Sequence, residues 1–94
     1  MDRKEHRRKL KTQLKIWKRE IGELQIEASA IETEARFFYL KQIEDLRAQR
    51  KIARGKLHEL AQINGNAWTD LRIGMYKAWG ELDAAMKTAI ARFK

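Results

Sequence analysis

The chain has 94 residues, enough for one small domain, with no proline, five glycines and 36% charged residues, a balance that argues against a turn-rich β fold and for long helices. Its net charge of +8 points to anionic partners or to pairing with an acidic surface. It lacks cysteine, so disulfides and thiolate sites are excluded, and no stretch approaches the ~20 apolar residues of a membrane span.

The opening run Met1-Asp2-Arg3-Lys4-Glu5-His6-Arg7-Arg8 is basic but leads into no apolar segment. It does not read as a secretory signal, and the expectation is a cytoplasmic protein. Charge is uneven: residues 1–20 carry +6, residues 21–40 carry −3, and 41–60 and 61–94 carry +3 and +2. Lys4, Arg8, Lys11, Lys15 and Lys18 recur at three and four residues, a stripe down one side of a helix that is suited to salt-sensitive phosphate contacts. The plainer reading is solvated charge that flanks a coiled-coil seam.

From residue 10 to residue 38 the apolar positions follow a heptad: Leu10, Leu14, Trp17, Ile21, Leu24, Ala28, Ile31, Ala35 and Phe38. After Tyr39 and Ile43 the seam resumes as Leu46, Arg50, Ala53, Leu57, Leu60 and Asn64, a four-residue stutter of the kind that relaxes left-handed supercoiling. No glycine or proline interrupts residues 23–54. The spacing therefore predicts one helix over about residues 3–63, roughly 90 Å long at ~1.5 Å per residue.

Asn64-Gly65-Asn66 is the clear turn: Gly65 suits a left-handed helix end and Asn66 an N-cap. A second helix is predicted over about 67–93, roughly 40 Å long and folded back on the second half of the first. Ala67-Trp68-Thr69-Asp70-Leu71-Arg72-Ile73-Gly74-Met75-Tyr76-Lys77 is followed by Ala78-Trp79-Gly80-Glu81-Leu82-Asp83-Ala84-Ala85-Met86-Lys87-Thr88 and a truncated third copy. Eleven residues span three turns, so the contact stripe runs nearly straight along the helix. Trp68, Leu71, Met75, Trp79, Leu82, Met86, Ile90 and Phe93 form that stripe, and Gly74, Ala78, Ala85 and Ala89 form a small-residue shoulder. Such a face belongs to a helix wedged between two others; its alternative use is a lipid surface. Folding back brings Phe93 near Phe37-Phe38-Tyr39-Leu40.

The first half of the long helix then needs a partner. In one solution two chains pair antiparallel, making an elongated coiled-coil homodimer with Leu10, Leu14, Trp17, Ile21, Leu24, Ile31 and Phe38 at its interface. One register lays the basic first twenty residues along the acidic next twenty; another buries more surface but sets two basic segments side by side. In the alternative solution the helix breaks near Ser29-Ala30-Ile31-Glu32, an S-x-x-E capping-box pattern, which gives a compact monomeric three-helix bundle. The dimer is preferred, because the heptad crosses Ser29 without a phase change.

No catalytic residue, cofactor site or metal site is predicted. Three residues before His6 and His58 stand Arg3 and Gly55, not the glutamates of a di-iron bundle, and no nucleophile–base set is visible. The repeated pattern A-W-x-[DE]-L-x-x-[GA]-M ending in Arg92-Phe93, together with Tyr39–Arg47, resembles a group of small bacterial coiled-coil proteins, some labelled stress-response proteins. The resemblance implies helices and no activity. The expected role is a non-enzymatic helical scaffold or protein–protein interaction module acting as a homo-oligomer. The alternative is reversible binding of an anionic lipid surface or nucleic acid through the basic amino-terminal segment and the amphipathic last helix.

Overall fold

The structure, a computed structural model, describes residues 3–63 and 65–93. Among them the chain is all-helical, with α1 at Arg3–Ser29, α2 at Ala35–Gln62 and α3 at Asn66–Phe93. The body measures 52 × 19 × 18 Å. No helix of the described residues is long and apolar enough to cross a membrane.

The single helix expected over residues 3–63 is interrupted. Ala30 and Ile31 close the last turn of α1 by donating to the carbonyls of Ile26, Glu27 and Ala28, and Arg36 and Phe37 open α2 by donating to Thr33 and Glu34. The break falls at the Ser29-x-x-Glu32 pattern, yet Ser29 ends a helix there instead of capping one, and the Glu34 side chain makes no cap bond to α2. Burial accounts for the bend. An apolar stripe left open along a long helix is covered when α1 doubles back on α2, and Ser, Ile and Thr are only modest helix formers.

The heptad of α1 is buried within the chain: Leu10, Leu14, Trp17, Ile21, Leu24 and Ala28 all belong to the core. Beyond the break the pattern is not used. Ile31 is partly buried, Ala35 is exposed and Phe38 is 57% exposed. On α2 the resumed seam points inward: Leu46, Ala53, Leu57 and Leu60 are buried and Arg50 is partly so, and Ile43 of the preceding slip is buried as well. Asn64, the last position of that seam, lies outside the described residues.

The second turn differs in detail from expectation. Ile63 caps α2 in an extended conformation, and Gly65, at φ +85°, stands directly before α3, accepting a hydrogen bond from the Trp68 N–H. Glycine has no Cβ to clash in that left-handed region. The cap assigned to Asn66 concerns a side chain outside those described.

On α3 the eleven-residue stripe points inward. Met75, Leu82, Met86 and Ala89 are buried, and Trp68, Leu71, Trp79, Ile90 and Phe93 pack against the core. Ala85 and Ala89 line a groove shared with Gln42, Leu46 and Gln49 of α2. The bulky side meets α1 through Trp17 and Trp79, whose ring centroids lie 4.9 Å apart at 51°. The backbones of α1 and α3 keep further apart than either does from α2, and these rings fill the gap. Phe93 reaches Tyr39, centroid to centroid 4.8 Å, whereas Phe37 is 67% exposed.

Candidate anion-binding groove

Two consequences of the turn at residues 30–34 build the site. α1 and α2 run antiparallel, and the basic first part of α1 therefore lies beside the basic second part of α2. Lys11, Lys15 and Lys18 share one side of α1 because side chains three and four apart stack on one face. Arg50, Arg54 and His58, four residues apart, do the same on α2. Together with Leu14, Leu57 and Ala61 they line a groove of ≈ 440 Å³. Its described lining has five Lys/Arg side chains and no carboxylate.

Arg50 anchors the groove. It stands in the apolar seam of α2, and its Nε donates to the Leu14 carbonyl at 3.0 Å. Burial pushes its pKa below the usual arginine value, and the nearby Arg54 and Arg47 push it further the same way. Arg47 in turn donates to Gln25 Oε1. His58 Nε2 contacts the Gln62 amide at 3.0 Å. The ion pairs Arg19–Glu23 and Lys87–Asp83 are surface contacts one helical turn apart, and neither lies in the groove.

The predicted basic stripe divides. Lys11, Lys15 and Lys18 line the groove, whereas Lys4 and Arg8 are exposed on α1 beyond its end. Arg50, Arg54 and His58 were not anticipated as site residues. Their signal was the +3 balance of residues 41–60, which gains meaning only once the hairpin places them opposite α1.

The other end of the molecule has the opposite character. Glu20, Glu23 and Glu27 line a smaller groove of ≈ 270 Å³ between α1 and α3, over Leu24, Ile90 and Phe93. Ile26, Phe37 and Phe38 are exposed at that same end. Among the described residues no three His, Asp or Glu side chains stand close enough to hold a metal ion. His6 and Tyr76, hydrogen-bonded to each other with rings 5.7 Å apart, tie α1 to α3.

No family model matches this chain, and no curated protein and no solved structure matches it either.

Proposed function

We propose that this chain is a non-enzymatic helical interaction module whose α1–α2 groove captures a polyanion. The observation that carries the reading is the convergence of Lys11, Lys15, Lys18, Arg50 and Arg54 around one groove without an acidic neighbour in its lining. Like charges held side by side repel, and a bound polyanion relieves that repulsion while releasing its own counterions. A cytoplasmic setting, rich in phosphate polymers, suits this role. Long-chain inorganic polyphosphate, followed by titration calorimetry at about 50 mM salt, is the first test. Binding should be lost in the Lys15→Gln/Arg54→Gln double variant and kept in Lys77→Gln/Arg72→Gln, which removes the same charge from α3. Equal loss in both variants would show that net charge alone acts, and would refute a groove.

Self-association is a second reading, favoured by the exposed Ile26, Phe37 and Phe38 close in sequence to Glu27, Glu32 and Glu34. Straightening of residues 30–34 would let two chains exchange α1 and rebuild the same core as an antiparallel coiled coil. Absolute mass by light scattering tests this: a dimer supports exchange or end-to-end docking, and a monomer across the concentration range rules both out.

A further inference from the structure

We infer that the polyanion taken by the α1–α2 groove is the phosphate backbone of duplex nucleic acid, bound without reading base sequence. The inference rests on the polyanion reading above and narrows it. Three features of the groove select the ligand.

The first is the shape of the cationic surface. Lys11, Lys15 and Lys18 form one row and Arg50 and Arg54 face them from the neighbouring helix, at the ~8–10 Å separation of packed helices. Lys4 and Arg8 extend the first row, so that Lys4 to Lys18 spans ~21 Å at ~1.5 Å per residue. Over that distance a duplex presents about 12 phosphate charges, a much denser array than a single strand offers.

The second is the floor. Its apolar atoms come from Leu14, Leu57 and Ala61, with no Phe, Tyr or Trp in the described lining on which an unpaired base would stack. The one ring there, the His58 imidazole, contacts the Gln62 amide. Trp17 and Trp79 are turned onto each other in the interior, and Trp68 packs against the core beneath Arg72. Single-strand binders rely on such stacking platforms.

The third is that the large exposed apolar side chains of the described residues are not among those lining the groove. Helices that bind lipid surfaces set large apolar side chains beside their cations so that those side chains enter the bilayer. Here Ile26, Phe37 and Phe38 stand at the opposite, glutamate-rich end, and Ile73 and Tyr76 are on α3. Ile52 lies about half a turn around α2 from Arg50 and Arg54, and the stripe of α3 is used for packing.

The test is fluorescence anisotropy of the full chain with a labelled duplex of about 20 base pairs, over about 50–200 mM salt. The five groove cations alone give a slope of log K against log salt near −4.5, a loss of roughly 500-fold across that range, and contacts from Lys4 and Arg8 steepen it towards about −6.3. A scrambled sequence should bind equally well, and Lys15→Gln should flatten the slope by about one. Far-UV circular dichroism of the variant confirms that it is folded. Tighter binding of a single strand of the same length overturns the inference, as does capture by phosphatidylglycerol vesicles without capture of duplex. Polyphosphate bound and duplex refused would leave the polyanion reading standing and remove this one. Refusal of all four probes would remove both.

Discussion

Replacing Arg54 by Gln should make the protein more stable while weakening its hold on polyanions. Arg54 is exposed, stands one turn from Arg50 on α2 and faces Lys11, Lys15 and Lys18 across the groove. Each exposed like-charge contact of this kind costs only about 0.2–0.5 kcal/mol. Two or three of them sum to about 0.5–1 kcal/mol at low ionic strength, and glutamine keeps part of the aliphatic stem that packs on the surface. For a chain of this size the gain corresponds to a rise in Tm of about 2–8 °C. At about 1 M salt the screening length falls to about 3 Å, and the gain should disappear. Thermal melts followed by circular dichroism at both salt concentrations measure the effect directly. A fall in Tm, or a rise that survives high salt, would mean that the groove is not strained by charge, and the argument from repulsion would fail.

Leu82, with no exposed surface, should lose about 2–5 kcal/mol on replacement by Ala, a large share of the ~5–14 kcal/mol available to a domain of this length; Ile73→Ala, at a site 62% exposed, should stay within about 0.5 kcal/mol. Urea titrations distinguish the two, and similar losses would mean that the α3 stripe is not the buried face. At the second turn Gly65→Ala should destabilise by about 1–2 kcal/mol, because φ is +85° there and a Cβ strains that conformation. Gly22→Ala should stabilise by about 0.5–1 kcal/mol, since a Cβ added at that helical position meets nothing within 4 Å. Melting temperatures that move in the same direction for both glycine variants would contradict the turn geometry.

Much of the core was legible because its signal is local. The heptad from Leu10 to Ala28 and the eleven-residue stripe from Trp68 to Phe93 are periodic within single helices, and each places its large residues inward or against the core. The turn at residues 30–34 was harder to read because no residue in it needs a special backbone conformation. Gly65 is the one positive φ among the described residues, so the hairpin between α1 and α2 carries neither glycine nor proline to mark it. Ile31, Ala35 and Phe38 keep the heptad phase across the break by sequence alone, and their exposure or partial burial shows that phase continuity does not guarantee helix continuity. The groove was illegible for the same reason. Its two halves lie about forty residues apart, and only the position of the hairpin decides that Arg50 and Arg54 face Lys11, Lys15 and Lys18.

The choice of pairing follows from unequal energies. Charge alone would lay the basic segment 1–20 along the acidic segment 21–40; within the chain, α1 residues 11–18 lie instead beside α2 residues 50–58, basic against basic. Burying a leucine or isoleucine is worth about 1.5–3 kcal/mol, and α1 and α2 together bury Leu10, Leu14, Ile21, Leu24, Ile43, Leu46, Leu57 and Leu60. A few exposed like-charge contacts, at some tenths of a kcal/mol each, do not outweigh one such residue. Apolar burial therefore sets the register, and the cations are carried into a concentration that electrostatics alone would not assemble. A fold held this way tolerates a charged groove at small cost, which is the condition for offering that groove to an anionic ligand.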